Sequence, residues 1–214
     1  MTDIGLRSTV EQADLIRRGE ISSRELTTHF IERIERLDDE INAVVTRDFE
    51  TALAESDAAD ASQQKGQSLG VLHGVPVTVK DALQTKNLKS TGGATELREN
   101  IPSQDAAAVA SIRREGAIVM GKTNLPRWSG DIQAYNDIFG TTNNPWDISR
   151  GPGGSSGGAA AAVAMGFTSF EIGTDIGGSI RFPAAFNGVW GHKPSFGVIP
   201  TTGYLDHVEG GLNE

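Results

Sequence analysis

Val71-Leu72-His73-Gly74-Val75-Pro76-Val77-Thr78-Val79 is rich in β-branched residues, is bounded by glycine and ends abruptly at Lys80-Asp81. The run reads as a buried strand that delivers a lysine at its end. Toward the C-terminus, Asp105 stands where it would cap a helix over Ala106 to Glu115, Gly116 stops that helix, and Ala117-Ile118-Val119-Met120 reads as another strand. Strand, helix and strand in that order predict the α/β class. Toward the N-terminus, residues 1–65 read as helices. Ser22-Ser23-Arg24-Glu25 is a capping box, and Leu26, Phe30, Ile34 and Leu37 recur at helical spacing behind it, which predicts a helix from Ser23 to about Leu37. A second helix, from Asp48 to about Gln63, keeps Phe49, Ala52 and Leu53 on one stripe.

Composition narrows the function classes. A chain of 214 residues is long enough to bury roughly 70% of its unfolded surface without covalent staples. Its 37% hydrophobic and 22% charged residues are those of an ordinary globular protein. No run of about 18 apolar residues and no basic leader with an apolar core is present, so neither a membrane span nor a secretory signal is expected. With no cysteine, disulfides, thiolate catalysis and thiolate metal sites drop out together, and a cytoplasmic location is expected. A net charge of −9 makes nucleic acid a poor partner.

The anomaly is glycine, with 26 residues, nine of them between Gly151 and Gly178. Gly151-Pro152-Gly153-Gly154-Ser155-Ser156-Gly157-Gly158 has no Lys-Ser/Thr pair after it, so it is not a Walker loop, and the dinucleotide fingerprint fails because Ser156 falls where the third glycine belongs. Gly153 to Gly157 does satisfy G-x-S-x-G, which would make Ser155 a nucleophile served by His192 or His207. Such an elbow needs a strand just before it, and Asn143 to Arg150 reads as loop. Ala159 to Val163 is a good helix former, which puts the glycine turn at a helix N-terminus. Phe167 to Ile172 reads as a strand leading straight into Gly173-Thr174-Asp175-Ile176-Gly177-Gly178-Ser179-Ile180-Arg181, with a helix following. A serine at the end of several N–H groups carrying little side chain is what an oxyanion site requires. No histidine adjoins Ser179; His29, His73, His192 and His207 are scattered and read as packing or surface residues.

These residues together resemble the amidase signature family. The resemblance rests on Gly-Gly-Ser-Ser-Gly-Gly and Gly-x-Asp-x-Gly-Gly-Ser-Ile-Arg-x-Pro between Gly153 and Pro183, on Gly-x-Pro-x-x-x-Lys-Asp from Gly74 to Asp81, and on Asn-Pro-Trp-Asp from Asn144 to Asp147. It implies a mixed β-sheet with helices on both faces, a helical segment over 1–65 packed on a catalytic domain over 66–214, and amide hydrolysis without metal or organic cofactor. It further implies a triad in which Ser179 is the nucleophile, Ser155, following a cis peptide at Gly154-Ser155, relays its proton, and Lys80 is the terminal base. Ile176, Gly177, Gly178 and Ser179 would supply oxyanion N–H groups, Asp175 and Arg181 would hold their loop, and Ser156 would stand close by or only cap the following helix. A lysine normally ionises near pH 10.4, so service as a base near neutrality requires a lowering of some 3 units, or about 4 kcal/mol.

The expected substrate is a small-molecule amide. Family catalytic domains are longer, so the chain is expected to correspond to the N-terminal half, and either homo-oligomerisation or association with a C-terminal half is expected to cover its unpartnered surface. Two alternatives stand beside a free-standing amidase. One is the catalytic component of a glutamine-dependent amidotransferase, whose members typically carry Gln where Phe182 stands here; the other is a non-catalytic binding or assembly fragment. Glu171 departs from the small or apolar residue usual at its position, and it must either find a buried partner or lie on an exposed strand.

Overall fold

The computed structural model describes residues 3–67 and 70–205. Its helices are α1 (Thr9–Arg17), α2 (Ser23–Ile41), α3 (Phe49–Gln64), α4 (Ala107–Arg114), α5 (Gly157–Ala164) and α6 (Arg181–Asn187). Its strands are β1 (Val44–Arg47), β2 (Pro76–Lys80), β3 (Ile118–Thr123), β4 (Tyr135–Asn136), β5 (Gly140–Thr141) and β6 (Glu171–Ile172). Four of the strands form a mixed sheet in the order β1-β3-β2-β6, in which β1 runs antiparallel to β3 and the two other pairings are parallel. The fold is α/β, as expected.

Two capping boxes start the N-terminal helices, Ser8 with Glu11 for α1 and Ser22 with Glu25 for α2. Each satisfies orphan N–H groups of the first turn. Leu26, Phe30 and Ile34 of α2 are fully buried and join Val77 and Val79 of β2, Val109 of α4 and Val119 of β3 in one continuous core. The helical reading of the first 65 residues misses β1. Asp38 explains the turn into that strand: buried near the end of α2, its carboxylate accepts from the N–H groups of Ala43 and Val44 at 2.8 and 3.0 Å. Asn42 between them takes the left-handed conformation that Asn tolerates better than most residues.

Three further expectations need correction. The strand expected from Val71 starts only at Pro76, because 71–74 form a turn closed by Gly74 at φ +72°. Asp105 does not cap α4: its carboxylate instead accepts from the Lys86 N–H at 2.7 Å, and Ala106 stands at the cap position. The strand expected over Phe167 to Ile172 shrinks to Glu171–Ile172, since the Thr168 hydroxyl donates to the Phe170 carbonyl at 2.7 Å and withdraws that group from strand pairing.

Side chains alternate across a strand, so Thr78 and Lys80 of β2 share one face while Val77 and Val79 point into the apolar core on the other. Helix α5 packs against β2, β3 and β6, with α6 beside it. It is built from glycine, alanine and a single valine, which lets its backbone lie close over the Lys80 face.

Candidate active site

Lys80 is the last residue of β2 and is completely buried. Its Nζ donates to Ser155 Oγ at 2.6 Å and to Thr174 Oγ1 at 2.7 Å. Burial pulls its ammonium group down to about 7, against the opposing pull of Asp175 and Glu171. At pH 7 about half of such lysines are free base, whereas an exposed lysine would be so in roughly one molecule in 3,000.

Ser155 is fully buried and follows a cis peptide at Gly154. Gly154 lies against the backbone of Asp131 to Gln133, where a Cβ would stand 2.5 Å from the Gln133 nitrogen; only glycine permits that approach. Ser156 occupies the cap position of α5, yet its side chain makes no capping bond. Its Oγ instead donates to the Thr174 carbonyl and accepts from the Thr174 N–H, both at 3.2 Å, while its own N–H donates to the Ser179 carbonyl at 3.0 Å. Ser156 therefore stitches the two glycine loops together.

Ser179 is half-buried on the second loop. The structure joins Lys80 to Ser155 by a direct bond and ties Ser179 to the same cluster through the backbone; among the described residues no hydrogen bond engages the Ser179 hydroxyl. Asp175 organises the turn. Its carboxylate, 1% exposed, accepts from the N–H groups of Gly178 (2.7 Å), Ile180 (3.1 Å) and Arg181 (3.3 Å), and from Arg181 Nε and Nη2 at 3.0 and 2.9 Å. Burial works to raise its pKa, but the Arg181 guanidinium and these N–H groups prevail and hold it well below the usual carboxylate range. Of the four expected oxyanion donors, Gly178 thus has its N–H committed to Asp175. Those of Ile176, Gly177 and Ser179 meet no acceptor among the described residues.

Glu171 finds buried partners. One carboxylate oxygen accepts from Thr123 Oγ1 at 2.6 Å and the other from Thr78 Oγ1. Burial pushes its carboxyl up to about 7, against the two hydroxyls and the nearby Lys122 and Lys80.

On β3, the strand beside that of Lys80, the structure completely buries Lys122, which the sequence reading misses. Its Nζ donates to the Leu83 carbonyl (2.5 Å), Thr85 Oγ1 (2.8 Å) and Ser90 Oγ (3.0 Å) and stands 4.0 Å from Asp81 Oδ1. Burial lowers its pKa to about 8, opposed chiefly by Asp81, whose own carboxyl is raised by burial. The signal was available: a lysine inside the apolar run Ile-Val-Met-Gly-Lys-Thr of a central strand has nowhere to go but inward.

The nucleophile-elbow alternative loses its support here. No strand immediately precedes Ser155, His192 is exposed, and His207 lies outside the described residues. Among the described residues no group of three or more His, Asp or Glu side chains is placed to hold a metal ion, and no helix is long and apolar enough to cross a membrane.

A family model described as Amidase matches residues 25–212. The chain belongs to the amidase signature family. Among its relatives, a glutamyl-tRNA(Gln) amidotransferase subunit of Moorella thermoacetica is 45% identical over 195 residues, which cover 91% of this chain and 40% of that protein. Among solved amidase structures, fatty acid amide hydrolase superposes with a TM-score of 0.89 at 29% identity, covering 95% of this chain and 36% of that one. The peptide amidase of Stenotrophomonas maltophilia gives 0.88 at 36% identity, covering 92% and 42%. The chain thus spans about two-fifths of the length of the amidase relatives it matches.

Proposed function

We propose that this chain carries the apparatus for hydrolysing a carboxamide C–N bond. Ser179 Oγ attacks the carbonyl carbon, its proton passes to Ser155, and the Ser155 proton passes to neutral Lys80. Collapse of the tetrahedral intermediate breaks the C–N bond, and the departing nitrogen recovers that proton through Ser155. Water then attacks the acyl-Ser179 ester by the same relay, releasing the acid and restoring the hydroxyl. The N–H groups of Ile176, Gly177 and Ser179 serve the developing oxyanion, and that of Gly178 joins them only on release from Asp175. Asp175, Arg181 and Ser156 hold the turn in place.

One observation carries this reading: a buried lysine, without a contact ion pair among the described residues, donates to a buried serine at 2.6 Å, beneath the turn that presents a second serine. The test is reaction of the purified chain with a fluorophosphonate, with the adduct located by mass spectrometry. An adduct on Ser179 that is lost in Lys80→Ala and Ser179→Ala is the expected result. An adduct on Ser155 would refute the assignment of the nucleophile. No adduct, in a chain that melts cooperatively, would favour the non-catalytic binding or assembly fragment.

The 45% identity to an amidotransferase component supports a second reading, in which the same acyl transfer releases ammonia from glutamine for a partner enzyme. Phe182 supports the free-standing amidase instead, acting on small-molecule linear amides in the cytoplasm. Ammonia release from glutamine, compared with that from simple aliphatic and aryl amides, separates the two. We also propose that the exposed Phe186, Trp190, Phe196 and Val198 mark a face that associates, with further amidase-fold polypeptide or with a second copy of the chain, since the family relatives are more than twice as long.

A further inference from the structure

Lys80, fully buried, and Glu171, half-buried, are ionisable groups of opposite sign on one face of the sheet, and neither forms a contact ion pair among the described residues. Their placement follows from strand register. Glu171 pairs with Thr78, two residues before Lys80 on the same face, and Thr123 pairs with Lys80 itself. The two threonine hydroxyls on either side of Lys80 are therefore the groups that grip the Glu171 carboxylate. Other charges near Lys80 are already matched. Asp175 faces Lys80 from the loop after β6, but it is taken by a bidentate Arg181. Lys122, on β3, is paired with Val79 and points to the opposite face, toward Asp81, with Glu171, Asp105 and Arg113 acting on it from further off. Helix α5, which covers the Lys80 face, contributes no charged side chain. Glu171 is left as the carboxylate near Lys80 that no cation contacts, with Lys122 and Lys80 both acting on it at longer range.

We propose that Glu171 is a positioning residue that sets the pH at which Lys80 becomes a free base, through a carboxylate anchored between the two threonines that flank the lysine. The assignment rests on Lys80 being the terminal base of the amidase reading. Two arrangements of the pair hold the same number of protons: ammonium with carboxylate, and amine with carboxylic acid. They interconvert by moving one proton from Lys80 to Glu171, so the base is generated without loss of a proton to solvent. Burial lowers the pKa of Lys80 and raises that of Glu171, so it favours the neutral pair over the charged one, the direction that supplies the free base. A small or apolar residue in place of Glu171 would leave only Asp175 opposing the desolvation of Lys80, and the lysine would lose its proton at lower pH.

The test is a pH titration of the full chain labelled with 13C at lysine Cε, the Lys80 resonance being assigned by its disappearance in Lys80→Met. In the wild type the Lys80 midpoint is expected near 7. In Glu171→Gln, and again in Glu171→Leu, it falls by about one pH unit, the lower end of what an opposite charge at close range produces. Should neither variant melt cooperatively, Thr123→Val withdraws one hydroxyl from the carboxylate and lowers the midpoint in the same direction. An unchanged or raised midpoint in a folded variant overturns the proposal, as does a wild-type Lys80 that titrates like an exposed lysine. The rate of fluorophosphonate labelling of Ser179 against pH is the second arm, and its acid limb should shift down with the NMR midpoint. Labelling of Ser179 with neither midpoint nor limb displaced defeats the role of Glu171 and leaves the amidase reading intact. A displaced midpoint without any Ser179 adduct defeats the amidase reading, and with it the catalytic part of this proposal, while the hold of Glu171 on Lys80 stands.

Discussion

Asp175→Ala removes the one acceptor that gathers the Ser179 turn, and its cost can be built up from the bonds lost. Two of the five bonds come from the Arg181 guanidinium, whose side chain is 56% exposed. In solvent such a pair is worth about 0 to 1 kcal/mol. The other three come from the N–H groups of Gly178, Ile180 and Arg181. Bonds to an ionised acceptor contribute about 1.5 to 3 kcal/mol each when buried, but this loop is only half-buried and water takes up part of the loss, so about 1 kcal/mol apiece is the fair figure. The total is about 3 kcal/mol, localised to the turn, because no strand of the sheet depends on Asp175. Amide hydrogen exchange reads it directly: protection at Gly178, Ile180 and Arg181 should fall roughly a hundredfold, while Val77, Val79 and Val119 exchange as in the wild type. Asp175 stays ionised well below pH 3.8, so acid alone should not release the turn until other carboxylates have already protonated. Protection at the three amides unchanged within about threefold would refute the claim that Asp175 organises this loop. An equal loss across β2 and β3 would show instead that the loop and sheet unfold as one unit.

Gly178→Ala places a methyl group against the Phe182 ring at a residue with φ +126°; strain and overpacking together should cost about 2 to 4 kcal/mol in urea denaturation. Lys122→Met leaves the Asp81 carboxylate buried and unpaired, with an expected loss of about 3 to 5 kcal/mol; Asp81→Asn in the same chain should recover part of it. Lys122 ionises near 8 when folded and 10.5 when unfolded, so the unfolded chain binds the extra proton between those values and the wild type gains stability as pH rises through that window. Lys122→Met should lose its share of that slope. For Glu171 the sign is reversed: its folded value near 7 lies above the ordinary 4.5, so its stabilising contribution is fully present below pH 4.5 and is lost as pH rises to 7. Thermal melts across this range should show Glu171→Gln flattening the fall by roughly 3 kcal/mol at most.

The sequence made the α/β class legible because its signals were local. The Ser22 to Glu25 capping box and the Leu26, Phe30, Ile34 stripe located α2, and a β-branched run ending in lysine located β2. What it hid depended on side chains acting at a distance. Nothing near Val44 says that Asp38, six residues earlier, will take its N–H and turn the chain into a sheet strand. Asp105 reads as a cap until Lys86, nineteen residues upstream, claims its carboxylate. Candidate site residues with glycine motifs around them, Ser155 and Ser179 above all, stood out in the sequence, and the direct bond from Lys80 to Ser155 spans 75 residues. The burial of Lys122 could have been read from its apolar strand, but its partners and those of Glu171 could not, because they depend on the register between strands that only the folded sheet defines.

That register is itself held by the charges it separates. Lys80 reaches Ser155 on one face of the sheet, while Asp81, the next residue, accepts from Thr91 and stands 4.0 Å from Lys122 on the other. A slip of one residue in β2 exchanges the faces. Asp81 would then confront Glu171 and Asp175, and Lys80 would confront Lys122, so that like charges meet in the two places where burial already disfavours any charge. A slip that merely moved valines would cost apolar contacts. This one also costs two buried repulsions, so the residues that make β2 a chemical element of the site also make its alignment hard to mistake.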